Sequence, residues 1–478
     1  MIPTLQYRWQ SRMTETGPAL VYYGLRNPPH NARQLVSLTP AAAGAIARMD
    51  GRTGWADIVG AAAGELAALK ALGAIVDRSE VTAAPGPDNH RTCATCVNND
   101  WVIPGLEFDE NGVCAFCQCY ARGDDGKPSF VQALSESALK EAVGVTAGSR
   151  FDVMVLYTGG KDSSFLVWHM ARNLGLRVLA AFWNMPYCQP AAYDNIARAK
   201  RRLPEVSFVE WTLPGETVTA AMRGQLSAIG SACLCPTAAF PLFYPLAHQH
   251  RIPYILFGME DVQAAVVDYV FPRPAAPAGC TGPPSPRERT LAFLKMRALP
   301  RALTAPVRWE TEIANYHASV QHQLSDFFGP LQDIIAQAEA DADLPIPLIT
   351  RLNTRESYGS WKDVIDLLGR ELDWRMPDGQ ENMLHTSCRI EPVKDYLQYM
   401  RFKQMRTVFF PQSMVEISAS VFFGMISREE GLKQARELGY VHPPPVLFEL
   451  LDDLGIDDGM IGNTKTELDF VLAEALSH

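Results

Sequence analysis

The sequence predicts an α/β protein whose centre is a doubly wound parallel sheet. From Phe151 onward, short apolar runs typical of buried strands alternate with helical stretches, the pattern of a parallel sheet covered by helices. A glycine-rich turn follows the first of these runs, and the chain beyond residue 287 has a mostly helical pattern. We therefore expect a small N-terminal domain over 1–85, a cysteine-containing insertion over 90–122, the α/β domain over 148–270 and a helical C-terminal region over 287–478.

Composition narrows the class of protein. Of the 478 residues, 47% are hydrophobic and 20% charged, as in an ordinary soluble globular protein. The formal net charge of −10 argues against a broad nucleic-acid footprint. No apolar run is long enough to span a membrane and no signal-peptide pattern is present, so we expect a cytoplasmic location. In that compartment the ten cysteines are expected to bind metal or act as reactive thiols.

The first 85 residues carry the signals of a winged-helix-like domain. The predicted elements are a strand, three helices and a strand, at residues 35–38, 40–49, 55–59, 65–72 and 74–76. The segment 38–59 resembles the peptide-chaperone domain of pyrroloquinoline quinone biosynthesis. This resemblance implies that a peptide is held as an added strand, at an edge formed by Leu35-Val36 and Ile75-Val76. A structural cap or a dimerisation element is the alternative.

Two Cys-x-x-Cys pairs predict a metal site in the insertion. They are Cys93 with Cys96 and Cys114 with Cys117, separated by residues 97–113. Four thiolates at this spacing are typical of a closed, structural zinc site of the zinc-ribbon kind. An iron–sulfur cluster or a set of free buried cysteines is the alternative. Cys119 stays unassigned.

Four buried strands are predicted in the α/β domain, at residues 153–156, 177–182, 206–211 and 254–257, with helices at 192–202 and 237–248 between them. Ligands of a parallel sheet bind at the carboxyl ends of its strands. Three polar segments follow strand ends here: 158–164, Trp183-Asn184 and Gly258-Met259-Glu260. We expect them to share one cleft.

The glycine-rich turn has the residue types of a phosphate-binding loop. Thr158-Gly-Gly-Lys-Asp-Ser-Ser164 joins a buried strand to a helix, so backbone N–H groups and a helix N-terminus meet at one point that attracts phosphate. The spacing is not that of the common Gly-x-x-x-x-Gly-Lys-Ser/Thr loop. It resembles the Ser-Gly-Gly-x-Asp-Ser loop of the PP-loop ATP pyrophosphatases, also called adenine nucleotide alpha-hydrolases. The alternative is an ordinary glycine turn with a capping side chain.

The resemblance to PP-loop enzymes implies a set of ATP-binding residues. Thr158, Ser163 and Ser164 would supply hydroxyl donors to the phosphates. Gly159 and Gly160 would let backbone amides approach the phosphates closely. In the same loop, Lys161 would add charge at the leaving pyrophosphate and Asp162 would orient Mg²⁺. Phe182, at the end of the second strand, would line the adenine slot, although an ordinary core position is the competing interpretation.

A wider likeness covers residues 90–265. The cysteine pairs, Phe108-Asp-Glu-Asn-Gly-Val-Cys114 and the loop are similar to the N-acetyl sugar amidotransferases of surface-polysaccharide biosynthesis. That family uses ATP to activate an oxygen and replaces it with nitrogen from ammonia, which a separate glutaminase delivers. The resemblance implies an amidotransferase or ligase in which Lys161, Asp162, Cys235 and Glu260 are catalytic. Cys233-Leu-Cys235, Met259 and His385-Thr-Ser-Cys388 depart from the family pattern.

Two other functions stay open. Related PP-loop enzymes insert sulfur through cysteine persulfides or an exposed iron–sulfur cluster, and Cys233, Cys235 and Cys388 are the candidates for that role.

In any of these enzymes, Glu260 could be a general base or a substrate ligand. A nucleotide- and peptide-binding scaffold without turnover is the third interpretation. The expected cofactors are ATP, Mg²⁺ and Zn²⁺. The expected partners are a sugar, peptide or small-molecule acceptor and a glutaminase or sulfur donor, with neither membrane nor nucleic acid among them.

Overall fold

The structure is a computed structural model. It describes residues 1–14, 16–28, 35–121, 131, 133–144, 148–270, 284–299, 312–354, 357–380, 383–384, 386–438 and 442–456. The chain divides into two compact units. Unit 1 comprises Met1–Gly126 and Gln398–Ser418, and unit 2 comprises Lys127–Leu397 and Ala419–His478.

The described chain contains the following elements. The strands are β1 (Pro3–Leu5), β2 (Trp9–Thr14), β3 (Gly17–Tyr22), β4 (Leu35–Ser37), β5 (Ile75–Asp77), β6 (Ala133–Leu134), β7 (Val153–Tyr157), β8 (Val178–Asn184), β9 (Ser207–Thr212), β10 (Tyr254–Phe257) and β11 (Leu348–Leu352). The helices are α1 (Pro40–Ala47), α2 (Trp55–Val59), α3 (Ala63–Ala71), α4 (Ala115–Ala121), α5 (Glu136–Gly144), α6 (Lys161–Trp168), α7 (Pro190–Arg202), α8 (Gly215–Ile229), α9 (Cys235–Gln249), α10 (Asp261–Val270), α11 (Pro286–Ala298), α12 (Glu312–Gln323), α13 (Gly329–Ala340), α14 (Trp361–Leu372), α15 (Glu391–Lys403), α16 (Gln412–Phe422), α17 (Arg428–Glu437) and α18 (Pro445–Asp453).

Unit 1 begins with strands and continues into three short helices. Strands β2, β3 and β4 form an antiparallel sheet, while β1 and β5 form a separate antiparallel pair. Helix α1 starts where the sequence predicts, because Thr39 accepts a hydrogen bond from the Ala42 N–H and Pro40 occupies the first helical position. Apolar side chains of the strands and helices share one core, with Leu20, Ile58 and Leu66 fully buried.

The predicted strand, three helices and strand of residues 35–77 are confirmed to within a few residues. Strands β1 to β3 were not predicted. The prediction that Leu35-Val36 and Ile75-Val76 form a common edge is wrong, because β4 pairs with β3 whereas β5 pairs with β1 in a different sheet. The winged-helix resemblance itself stays a prediction.

Unit 2 contains the predicted α/β fold. Its six parallel strands lie in the order β6-β11-β10-β7-β8-β9. The chain runs outward from β7 through β8 to β9 and then returns to place β10 on the other side of β7. The strand order therefore reverses between β7 and β10, and parallel sheets bind ligands in the crevice at such a point. The four predicted strands are confirmed, whereas β6 and β11 were not predicted.

Helices cover the sheet and form most of the remaining chain. Strand β7 is almost wholly buried, as its unbroken apolar sequence predicts. The core around it includes Phe165 from α6, Phe182 from β8 and Leu368 from α14. The helical C-terminal region is confirmed over the described residues. None of the helices in the described ranges is both long and apolar enough to cross a bilayer.

Candidate functional site

The glycine-rich turn joins β7 to α6 at the point where the strand order reverses. Gly159 has a φ of +75°, and a Cβ there would lie 2.5 Å from the carbonyl oxygen of Ala192. Gly160 precedes α6 as its N-cap and has no side chain to cap the first turn. Across the turn, a Cβ on Gly258 would lie 3.1 Å from the backbone nitrogen of Ser163. The ends of β7 and β10 therefore meet at the start of α6.

Hydroxyl groups line one side of this turn. The Thr158 N–H donates to Ser163 Oγ over 3.1 Å, and the two hydroxyl oxygens are also 3.1 Å apart. Ser164 points elsewhere, because its hydroxyl donates to the buried Tyr157 OH over 3.4 Å. Thr158 and Ser163 thus lie together in the predicted loop, whereas the Ser164 hydroxyl faces the sheet.

Lys161 is buried within a group of charged and aromatic side chains. Its side chain is 1% exposed, forms an ion pair with Asp162 and lies with Nζ 4.0 Å from Glu260 Oε1. The ammonium group also lies 4.8 Å from the centre of the Trp361 ring. Sequence reasoning missed Trp361, since a tryptophan at a helix start has no signal that separates it from a core residue. Three of the four predicted catalytic residues, Lys161, Asp162 and Glu260, are therefore brought together.

Glu260 is a buried carboxyl with an unusual pKa. Trp361 Nε1 donates to both of its oxygens over 2.8 Å, and the Tyr358 hydroxyl donates over 2.9 Å. Burial raises the pKa of Glu260 to about 7, although the nearby Lys161 charge favours the ionised form. Desolvation outweighs the attraction because the side chain is only 2% exposed. A carboxyl with this pKa can accept or donate a proton near neutral pH.

A segment far along the chain packs against the loop. Thr386 Oγ1 accepts a hydrogen bond from the Lys161 N–H over 2.9 Å, and a Cβ on Gly160 would lie 3.2 Å from the Ser387 side chain. We call residues 386–389 the strap. In the sequence, residues 385–388 were noted as a departure from the amidotransferase pattern. Nothing in the sequence predicted that they would contact the phosphate loop. His385 lies outside the described residues.

Four cysteines gather near the strap. Cys188 and Cys388 pair in an isolated antiparallel bridge. Cys233 and Cys235 interact with each other, and a hydrogen bond from Cys235 lowers the pKa of Cys233 to about 7. The neighbouring Cys233 and burial together raise the pKa of Cys235, which begins α9. The three predicted cysteines are thus near one another. Cys188 was missed, because it stands alone in the sequence.

Phe182 lies at the end of β8, as predicted, but its side chain is 3% exposed and belongs to the sheet core. Its ring meets that of Tyr193 from α7 edge-on, with the centroids 6.0 Å apart. The backbone of Phe182 therefore lies at the carboxyl edge of the sheet, where the predicted adenine slot would be. Its side chain is part of the hydrophobic core.

In unit 1, the two Cys-x-x-Cys pairs come together as one site. Their four sulfurs are buried and lie within 4.8 Å of one another, and the described residues contain no other such group. Sulfur separations are 4.0 Å for Cys93 with Cys117 and 3.7 Å for Cys96 with Cys114. A tetrahedral zinc ion with Zn–S bonds near 2.3 Å needs roughly 3.8 Å between sulfurs. The site therefore fits zinc, and backbone N–H groups of Cys114 and Asn98 point at the sulfurs.

No family model matches the chain, and no curated protein matches it. Among solved structures, the chain is similar to the U34-tRNA thiolase NcsA from Methanococcus maripaludis with its 4Fe–4S cluster, at 11% identity over 74% of this chain and 89% of that chain. The TM-score of 0.27 is too low to transfer an activity or a residue role.

Proposed function

We propose that unit 2 is a PP-loop ATP pyrophosphatase that adenylates an acceptor oxygen. One observation supports this proposal above the others. The loop 158–163 lies where the strand order reverses. Gly159 leaves no room for a side chain, and Gly258 leaves only a tight fit against Ser163 at the start of α6. Without side chains at these positions, α7 and the end of β10 pack closely against the loop and fix its first helical N–H groups, the groups through which a helix N-terminus binds phosphate.

The residues around the loop fit the chemistry of pyrophosphate release. ATP, when bound, supplies the phosphorus that an acceptor oxygen attacks. Lys161 holds a positive charge beside the loop, where negative charge develops on the leaving group. Asp162 would hold Mg²⁺ together with the phosphates. Glu260, with its pKa near 7, would take the proton of the attacking group.

Product analysis tests this proposal. The enzyme should release AMP and pyrophosphate when an acceptor is present, and ADP with orthophosphate as products would contradict it. Asp162→Ala and Ser163→Ala should each abolish release without unfolding the protein, because Asp162 is partly exposed and neither residue belongs to the apolar core. Circular dichroism provides the folding control. ATP binding with no turnover on any acceptor would favour the scaffold interpretation.

The second half of the reaction replaces the activated oxygen. We propose nitrogen from ammonia, delivered by a separate glutaminase, as in the amidotransferases that the sequence resembles. Sulfur insertion is the second candidate, and the grouping of Cys233, Cys235 and Cys388 favours it. The acceptor mass distinguishes them: exchange of oxygen for NH lowers it by about one unit, and exchange for sulfur raises it by about sixteen. Cys233→Ser should abolish sulfur insertion and spare amidation.

The acceptor class is a separate proposal. A peptide held by unit 1 would add beside β4, which is an outer strand of the three-stranded sheet within the described part of the chain. The Leu38 N–H donates to Pro18 O, so alternation along the strand turns the Val36 N–H toward β3 and the exposed Ser37 N–H away from it. Ser37→Pro should therefore weaken use of a peptide acceptor while ATP binding is unchanged, and Ser37→Ala is the matched control. Equal turnover by both variants would favour a sugar acceptor.

We also propose that Cys93, Cys96, Cys114 and Cys117 hold one structural zinc ion. Four buried thiolates leave no open position for substrate, so the ion would stabilise unit 1 and take no part in catalysis. An iron–sulfur cluster is the alternative that metal analysis would reveal.

A further inference from the structure

The strap places one cysteine, Cys388, in direct register with Cys188. Cys388 faces Cys188 in an antiparallel bridge. The Gln189 N–H donates to Ser387 O over 2.9 Å, and the Arg389 N–H donates to Tyr187 O over 2.7 Å. These two bonds flank the cysteines, so Cys188 and Cys388 form a non-hydrogen-bonded pair, the arrangement in which opposing side chains approach most closely.

This register fits a disulfide. Opposing residues of a non-hydrogen-bonded pair have Cα atoms about 4.5 Å apart, and disulfides span Cα separations of about 4.4–6.8 Å. Both thiols are free in the structure and neither is fully buried, so a small reagent has access to them. The backbone therefore needs little movement to form the bond.

The same strap covers the start of α6. Thr386, two residues before Cys388, accepts the Lys161 N–H with its hydroxyl. Ser387 lies between them and packs on Gly160. A helix N-terminus binds phosphate through its first N–H groups, so the Thr386 hydroxyl occupies a position that a phosphate oxygen needs.

We propose that Cys188 and Cys388 form a reversible disulfide that fixes the strap on the phosphate loop and blocks ATP binding. A low-molecular-weight disulfide such as oxidised glutathione is the oxidant. One protein thiolate attacks it to give a mixed disulfide and one reduced glutathione, and the second protein thiolate then displaces the other glutathione. Two protons and two electrons leave the protein, and two glutathione thiols are formed.

The surroundings of the two thiols slow their first reaction with an oxidant. Burial raises the pKa of Cys188 and that of Cys388, so both are mostly protonated and slow to react at neutral pH. The antiparallel pairing of the two cysteines, by contrast, favours formation of the disulfide once either thiol has reacted with glutathione. Oxidation should therefore accelerate as the pH rises from 7 to 9.

The blocking effect rests on the proposed ATP site, whereas the disulfide does not. The experiment treats the full chain with oxidised glutathione or with dithiothreitol and alkylates the remaining thiols. Peptide mapping without reduction then identifies the bridge. Binding of α,β-methylene ATP with Mg²⁺, measured by calorimetry, is the second readout. We expect a 188–388 bridge and a 10- to 100-fold loss of affinity, roughly the loss of one hydrogen bond from an N–H group to a charged phosphate.

Cys188→Ser is the decisive variant, because it removes the bridge and leaves the loop and the strap contacts in place. It should bind the analogue as the reduced protein does, with or without oxidant, and dithiothreitol should restore the oxidised native protein. Absence of the 188–388 bridge at pH 9 would overturn the proposal. A bridge with unchanged affinity would overturn the blocking role. Failure of the reduced protein to bind the analogue would refute the ATP site, while the mapping would still decide the disulfide.

Discussion

Replacing Gly159 with alanine should test whether packing against α7 fixes the phosphate loop in place. Gly159 has a φ of +75°, a left-handed conformation that costs an alanine about 1–2 kcal/mol. The new Cβ would also meet Ala192 O at 2.5 Å and Ile196 Cγ1 at 2.9 Å. A backbone carbonyl of α7 cannot move aside, so the loop has to shift, at a further cost of about 1–3 kcal/mol.

Gly175 offers a matched control in the same unit. Its φ is +69°, and a Cβ there would have no neighbour within 4 Å. Gly175→Ala therefore carries the left-handed cost alone and should lower the free energy of unfolding by about 1–2 kcal/mol. Gly159→Ala carries both costs and should lower it by about 2–5 kcal/mol.

The assays are urea unfolding and binding of α,β-methylene ATP with Mg²⁺. Gly175→Ala should keep native affinity, whereas Gly159→Ala should lose binding because the shifted loop misplaces its N–H groups. Equal stabilities for the two variants, or native affinity in Gly159→Ala, would refute the reasoning that backbone contact with α7 fixes the phosphate loop.

Three further predictions follow from the site. Metal analysis should find one zinc per chain, and Cys96→Ser should lose it together with part of the thermal stability of unit 1; a brown chromophore would indicate iron and sulfur instead. Because burial raises the pKa of Glu260 to about 7, the folded protein holds a proton that the unfolded chain releases near pH 4.3, and stability is lost as the pH rises toward 7. Glu260→Gln should remove this loss, on the order of 3 kcal/mol, and parallel pH profiles would contradict it. Thr386→Val should raise affinity for the ATP analogue about 2- to 10-fold by removing the acceptor at the Lys161 N–H, while Thr386→Ser should not.

Local signals predicted the centre of unit 2 well. Val153 to Tyr157 is apolar throughout, and two glycines and a helix follow, so the strand, the turn and the start of α6 depend on neighbours in the sequence. The metal site was equally easy to predict, because the spacing of the four cysteines is by itself typical of such a site. Strand β11 lacked such a signal, since Arg351 interrupts its short apolar run.

What sequence reasoning missed depends on contacts between distant residues. Thr386 is 225 positions from Lys161, and Trp361 is 101 positions from Glu260. Nothing near Thr386 or Trp361 in the sequence distinguishes them from other polar turns and helix starts. Cys188 likewise could be recognised as a candidate only from its pairing with Cys388 in the structure. The prediction of a shared edge for Leu35-Val36 and Ile75-Val76 was wrong for a related reason, because the unpredicted strands β3 and β1 are their pairing partners.

Unit 1 is built from two segments that are far apart in the chain, and this has a consequence for folding during synthesis on the ribosome. The buried Arg8 guanidinium donates to the carbonyl oxygens of Phe402 and Lys403, so the unit is complete only when residues 398–418 have emerged. At about 5–20 residues per second, translation of residues 127–397 takes on the order of 10–50 s. During that interval Arg8 Nε can donate to Tyr23 O, but the two terminal nitrogens of Arg8 lack their native acceptors. The parallel sheet, whose last strand along the chain is β11, can already form. The first part of the chain to be made is thus among the last to reach its native contacts, and chaperone dependence should concentrate there.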